Sequence, residues 1–333
     1  MKGEKLTAGD SAFQLPHFLL ITGGCKNGKS SYAQEAACKL AENAGSAPVY
    51  FATMIPHDSE DYERIKKHRE DRKNLGFETI EIAGNFSQIV ENLQPGRVIL
   101  FDSLTALLAN ELFEGRTDFS IKKMQEDAPE ILDKIKKTLE RLIQKSDSVI
   151  FVSDSIYCDI KYDEITELYR RNLAKIEQFL AEKCDRMVEM KNGRAEIKNP
   201  EENAEKSSCK LKLIVGGAYQ GKKAFAREKF SLSDEDIFVC SEDSEPDFSK
   251  PCLSHYENYI AYCLKKKISP KTDFSDCSAG GQEKVIICDD IFCGVVPVDA
   301  FQRKLREETG LALQKIAGKA EIYRVFCGKG QKI

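Results

Sequence analysis

The chain lacks a long apolar run, a surplus of charge of either sign and any close pairing of its cysteines, and each absence removes a class of protein. No hydrophobic stretch in the 333 residues approaches the roughly 18 that a membrane span needs. A net charge of −4, from 50 Lys+Arg and 54 Asp+Glu, argues against nucleic acid as the main partner. Residues 1–16 are polar, with no basic start followed by an apolar core, so no secretory signal is predicted. Twelve cysteines are many, yet none forms the C-x-x-C pair of a zinc site. Cys240 and Cys288 fall in predicted strands, where free thiols behave as small apolar side chains. A reduced, cytoplasmic setting is the expectation. Four cysteines precede residue 200 and eight follow it, so the halves differ in composition.

What is present is led by the octapeptide Gly23-Gly24-Cys25-Lys26-Asn27-Gly28-Lys29-Ser30. It follows the apolar run Phe18–Thr22 and opens a stretch, 31–44, in which Ala33, Ala36, Ala37, Leu40 and Ala41 recur at helical spacing. Strand, Gly-rich turn and helix are the parts of a P-loop. Backbone N–H groups and the helix N-terminus cradle phosphates, Lys29 neutralises the outer ones, and the Ser30 hydroxyl ligates Mg²⁺. The chain is therefore expected to bind a nucleoside triphosphate.

Further strands are predicted at Val49–Thr53, Val98–Asp102 and Val149–Ser153, and a hairpin at 187–198 turns at Asn192-Gly193. Between them, Pro129–Gln144 places Ile131, Leu132, Ile135, Leu139, Leu142 and Ile143 on one helical face, with Pro129 read as a first-turn residue. Strands alternating with helices predict a mostly parallel sheet covered on both faces, a P-loop α/β fold of RecA-like type. Polar residues 199–209 read as a linker between a domain at 18–198 and a second at 210–333, with 1–17 as a polar tail. The second domain begins again with an apolar strand, Leu211–Val215, then Gly216-Gly217-Ala218-Tyr219-Gln220-Gly221-Lys222-Lys223. This is an internal duplication. Lys223 stands where the metal-binding hydroxyl should be, and few apolar elements precede Val285, so the copy is expected to be smaller and non-hydrolysing.

Residues 58–74 are strongly charged and read as a helix carrying Arg64, His68 and Arg72 on one face at spacings of four. An imidazole between guanidiniums suits phosphate handling, and the cations favour the neutral ring, leaving a nitrogen free to attack phosphorus. A plain solvated helix is the alternative. His57, His17 and His255 have weaker cases. Asp102 ends an apolar strand, as does a residue that helps hold Mg²⁺ beside a P-loop, and Asp154 ends the next strand in the same way. Glu81 follows Phe77–Ile80 and is either an acceptor for a guanine edge or an exposed strand-end carboxylate.

Together these residues resemble the bifunctional adenosylcobinamide kinase/adenosylcobinamide-phosphate guanylyltransferase family over roughly residues 18–198. The resemblance rests on Thr22-Gly23-Gly24 with Gly28-Lys29-Ser30, and on Phe51-Ala52-Thr53. It continues with Arg64-Ile65-x-x-His68-Arg69-x-x-Arg72, Thr79-x-Glu81, and Asp102-Ser103-Leu104-Thr105 followed by Asn110. It implies two reactions on one P-loop: phosphorylation of the aminopropanol hydroxyl of adenosylcobinamide by ATP or GTP, then GMP transfer from GTP to adenosylcobinamide phosphate through a guanylyl-His68 intermediate. It also implies that residues 23–30, Ser31, Ala52, Thr53, Arg64, Arg69, Arg72, Glu81 and Asp102 contact nucleotide, with Mg²⁺ on Ser30 and Asp102.

The sequence departs from the family after the fourth strand. Asp154-Ser155-Ile156-Tyr157-Cys158-Asp159-Ile160-Lys161-Tyr162 lacks the Gly-x-Val-Pro turn, and only Arg170 and Gln178 of the following helix remain recognisable. The second copy has that block, Asp289-Asp290-Ile291-Phe292-Cys293-Gly294-Val295-Val296-Pro297 with Arg303, Arg306, Gly310 and Gln314, but lacks the Arg-Ile-x-x-His block. Two expectations stand side by side: a pseudo-dimer within the chain whose second copy supports the first site, or a structural remnant. A homo-oligomer also remains open. A single-activity enzyme and a non-catalytic nucleotide-binding protein that regulates cobamide assembly are the competing functions.

Overall fold

The computed structural model describes residues 16–24, 27–56, 75–82, 84–158, 162–191, 193–198, 210–274, 283–291 and 299–332. The predicted charged helix at 58–74 and the linker at 199–209 lie outside the described residues. The chain divides into two compact units, residues 1–155 with 164–198, and residues 156–163 with 199–333. Among the described residues no helix is long and apolar enough to cross a membrane.

The first unit is a seven-stranded sheet. In chain order it runs β1 (Phe18–Gly23), α1 (Lys29–Ala44), β2 (Val49–Ala52), β3 (Glu78–Glu81), α2 (Phe86–Asn92), β4 (Val98–Asp102) and α3 (Leu104–Phe113). It continues with α4 (Ile121–Lys145), β5 (Ser148–Asp154), α5 (Glu164–Ala181), β6 (Arg186–Lys191) and β7 (Arg194–Lys198). The spatial order is β3-β2-β4-β5-β1-β6-β7, parallel throughout except for the β6–β7 hairpin. β5 lies between the P-loop strand and β4, as the RecA-like reading expects. The hairpin pairs Lys191 with Arg194, and Gly193 just before Arg194 has φ 79°, a left-handed conformation that suits a tight turn.

Period-two alternation sends each strand's residues to both faces, and both are apolar because helices cover both. One face packs Leu19, Ile21, Val98, Leu100, Ile150 and Val152 against the small residues Ala33, Ala36 and Ala37 of α1. The other carries a chain of rings: Phe18 on Phe151 at 5.4 Å, Phe151 on Phe101 at 5.5 Å, and Phe101 on Phe86 at 5.4 Å. Such pairs add about 0.5–1.5 kcal/mol each beyond the area they bury.

The helix expected to open at Pro129 instead starts at Ile121, so Pro129 sits inside it. Met124 and Ala128 are buried on the same stripe as Leu132, Ile135 and Leu139, and this burial offsets the single backbone bond that proline removes.

The second unit repeats the plan. Its elements are β8 (Leu211–Gly216), α6 (Lys222–Phe230), β9 (Ile237–Val239), β10 (Cys252–Ser254), α7 (Tyr256–Lys266), β11 (Lys284–Asp289), α8 (Ala300–Ala317), β12 (Glu321–Phe326) and β13 (Lys329–Lys332). The strand order β13-β12-β8-β11-β10-β9 matches β7-β6-β1-β5-β4-β2 position for position, and among the described residues the edge strand β3 has no counterpart. Registers agree as well: Gly23 pairs with Asp154 in the first sheet, and Gly216 with Asp289 in the second. Before Val285 lie β9 and β10, three residues each, and α7; the strand expected at Cys240 is β9, which ends one residue earlier at Val239, whereas β10 and α7 were not read from the sequence.

Candidate active site

Among the described residues, those expected to contact nucleotide gather at the C-terminal ends of the parallel strands, where open α/β sheets place their ligands. Gly23 ends β1, Ala52 ends β2, Glu81 ends β3 and Asp102 ends β4. Ala52 is in register with both Glu81 and Asp102, so these three form one row across the sheet edge. Lys29, Ser30 and Ser31 make the first turn of α1. The turn enters the helix through Gly28 at φ 86° and ψ 11°, a left-handed conformation that a side chain would strain.

One ion pair and three hydrogen bonds organise this edge. Lys29 is buried; its Nζ donates to the Gly24 carbonyl at 2.7 Å and pairs with Asp154 Oδ1 at 2.8 Å. Ser30 Oγ donates to Asp102 Oδ2 at 3.1 Å, and the Tyr50 hydroxyl donates to the same oxygen at 2.8 Å. The two strand-end aspartates thus take different roles. Asp102 faces the hydroxyl of the P-loop serine and Asp154 holds its lysine. A hydroxyl and a carboxylate at this separation are the hard oxygen donors that suit Mg²⁺.

A second layer fixes Asp102. Thr53 is fully buried, and its Oγ1 accepts the Ser103 N–H at 2.6 Å and donates to the Ser103 carbonyl at 2.9 Å. Asn110 Nδ2 donates to the Thr53 carbonyl at 2.7 Å. Thr105 Oγ1 accepts the Asp154 N–H at 2.9 Å, and Tyr169 donates to the Thr105 carbonyl at 2.8 Å. Burial pushes the Tyr169 phenol well above its usual range, and the charges of Asp154 and Glu177 add to this, so it stays a donor. Thr53 is therefore a positioning residue: it locks the peptide after Asp102. Ser103 also caps α3 through its Oγ, which accepts the Ala106 N–H at 3.3 Å.

Sequence reasoning missed Tyr50. The signal was a phenol two residues before Ala52, on the strand face that carries Ala52, since a buried tyrosine hydroxyl needs a partner. Arg170 is buried against Glu167 at 2.5 Å and braces α5. Glu81 is exposed at the end of the edge strand β3. His68, with Arg64, Arg69 and Arg72, lies outside the described residues, as do Cys25, Lys26 and residues 292–298.

Comparison with known proteins bears on what this edge serves. The sequence model of the cobinamide kinase / cobinamide phosphate guanyltransferase family matches residues 19–197. The bifunctional adenosylcobalamin biosynthesis protein CobP of Pseudomonas aeruginosa is 29% identical over 172 residues, 51% of this chain and 90% of that protein. The bifunctional adenosylcobalamin biosynthesis protein CobU of Escherichia coli K12 is 29% identical over 97 residues, 29% of this chain and 50% of its own length. Among solved structures, a KaiC-like protein from Pyrococcus horikoshii OT3 is similar at 15% identity and a TM-score of 0.28, over 54% of this chain and 74% of that one. The family match spans more than half of the chain and takes in the whole Lys29–Ser30–Asp102 edge, and on it the chain belongs to the cobinamide kinase / cobinamide phosphate guanyltransferase family, a family of transferases.

Proposed function

We propose that the first unit uses one phosphate-binding turn for two successive transfers. In the first, the terminal hydroxyl of the aminopropanol arm of adenosylcobinamide attacks the γ-phosphorus of a nucleoside triphosphate. The bond to the bridging oxygen breaks, and the diphosphate leaves. In the second, a ring nitrogen of His68 attacks the α-phosphorus of GTP, and the bond to pyrophosphate breaks. The phosphate of adenosylcobinamide phosphate then displaces the histidine, giving adenosylcobinamide-GDP and the free imidazole. His68 divides one difficult exchange into two easier ones.

The observation that carries this reading is the pairing of Ser30 with Asp102 beside Lys29 on the C-terminal edge of the sheet, in a chain of this family. Lys29 and the amides at the start of α1 stabilise charge as it moves onto the leaving phosphates. Ser30 and Asp102 would hold Mg²⁺, which neutralises phosphate charge when bound. Glu81, in the same row, would select among bases by accepting hydrogen bonds. The test is a reaction of the purified chain with adenosylcobinamide, ATP and GTP, with the corrinoid product identified by mass. Adenosylcobinamide-GDP supports the proposal, and unchanged adenosylcobinamide refutes it.

A specific observation favours a second reading, a single surviving activity. Residues 156–163, where the family carries its Gly-x-Val-Pro turn, belong to the second unit, and the Tyr157 carbonyl accepts the Ala218 N–H at 3.0 Å there. Product that stops at adenosylcobinamide phosphate would select this reading.

A further inference from the structure

The duplicated sheet allows the two P-loop edges to be compared residue by residue, and the second has exchanged one set of polar donors for another. Gly221 enters α6 at φ 85° and ψ 11°, within a degree of Gly28. Lys222 Nζ donates to the Gly217 carbonyl at 2.6 Å and pairs with Asp289 Oδ1 at 2.7 Å, as Lys29 does with Gly24 and Asp154. The Asp289 N–H donates to Glu257 Oε2 at 2.9 Å, and the Asp154 N–H to Thr105 Oγ1 at 2.9 Å. Glu257 therefore stands where Thr105 does, and the chain positions before it follow: Ser254 stands for Asp102 and His255 for Ser103. Lys223 stands for Ser30. The hydroxyl–carboxylate pair suited to Mg²⁺ is gone.

Three other donors converge in its place. His255 Nδ1 lies 3.0 Å from Glu257 Oε1 and 4.0 Å from Asp289 Oδ2, and one donor atom of each residue falls within 4.8 Å of the others. Metal bonds of about 2.1 Å set neighbouring ligand atoms roughly 3–3.5 Å apart, so small side-chain shifts suffice. The remaining oxygens are already tied. Glu257 Oε2 is held by the Asp289 N–H and Asp289 Oδ1 by Lys222, which is how outer partners orient the carboxylates of a metal centre. The Glu257 side chain is 9% exposed, Asp289 15% and His255 46%, so the cluster opens to solvent mainly at the histidine.

We propose that His255, Glu257 and Asp289 form a binding site for one divalent transition-metal ion in the second unit. An imidazole with two carboxylates selects zinc, manganese, iron or cobalt over the all-oxygen cations magnesium and calcium. Three protein ligands leave coordination positions open to water or to an oxyanion, next to Lys222 and the amides of the 216–222 turn. The site differs in position and in metal class from the Ser30–Asp102 pair and does not depend on the activity of the first unit.

The test uses the full chain, stripped with chelator and titrated with Co²⁺ and with Zn²⁺. Asparagine is chosen for position 255 because His255 sits at φ 57°, where asparagine is tolerated. Wild type is expected to bind one equivalent of either ion, with cobalt absorption bands of nitrogen and oxygen ligation. His255→Asn and Glu257→Gln should each lose at least tenfold in affinity, while Ser30→Ala keeps it. Equal binding by wild type and both variants, or no binding by wild type, overturns the proposal. Should the variants fail to fold, anomalous scattering from zinc-soaked wild-type crystals decides: a peak among the three side chains supports the site, and its absence overturns it.

Discussion

Asp102 and Asp154 both end apolar strands, and their different partners assign them different work. Ser30 and Tyr50 bind one Asp102 oxygen, so loss of that charge removes the carboxylate that faces the P-loop hydroxyl. Asp102→Asn is expected to raise the Mg²⁺ concentration needed for half-maximal phosphorylation by about 10–100-fold. A magnesium titration of the kinase step measures this, and an unchanged midpoint would remove Asp102 from the metal's surroundings. Thr53 acts one step further away. Thr53→Val keeps the shape but leaves the Ser103 N–H unpaired in the interior, a loss of about 1–3 kcal/mol by chemical denaturation. A change below about 0.5 kcal/mol would show that the Thr53 clamp does not stabilise the fold.

At the scale of elements, the ring chain from Phe18 to Phe86 joins β1, β5, β4 and α2. Phe101 is fully buried at its centre, and Phe101→Ala should cost about 3–5 kcal/mol, read as a lowered melting temperature of the folded chain. A variant that melts with wild type would place the core elsewhere. Long elements and the P-loop turn were legible in the sequence because their signals are local: Gly28, Lys29 and Ser30 sit between a five-residue apolar run and a helix-spaced alanine face. The strand-end pattern alone did not separate Asp102 from Asp154, and only the family resemblance pointed to Asp102, because the partners of each depend on β5 lying between β4 and β1, a fact of strand order. β10 escaped notice because three residues give no periodicity. Pro129 misled because burial of Met124 and Ala128 extended the helix backward past a residue that more often begins one.

The whole molecule is a sheet and its near-repeat, so chemistry lost at one position of the repeat can be compared directly with chemistry kept at the other. Asp-Ser-Leu-Thr in the first unit becomes Ser-His-Tyr-Glu in the second, Ser254-His255-Tyr256-Glu257, and this exchange was invisible until the Glu257 bond to Asp289 fixed the alignment. The second unit also concentrates buried thiols. Burial pushes Cys240 and Cys252 up to about 12, and Cys288 well above the ordinary thiol range, so all three remain protonated at pH 8. A thiol reagent followed by peptide mapping should label the half-buried Cys158 and Cys184 in the native protein, and reach Cys240, Cys252 and Cys288 only after denaturation. Fast native labelling of the buried three would contradict the packing of this unit.

The most direct measurement of the central claim is mass spectrometry at neutral to alkaline pH after brief incubation with GTP and Mg²⁺, with peptide mapping of the untreated protein and acid treatment of a parallel sample. The account predicts one GMP adduct per chain, on His68, released by acid and absent from both Lys29→Ala and His68→Ala. Formation of adenosylcobinamide-GDP at full rate by His68→Ala, with no adduct on the wild-type chain, would contradict it.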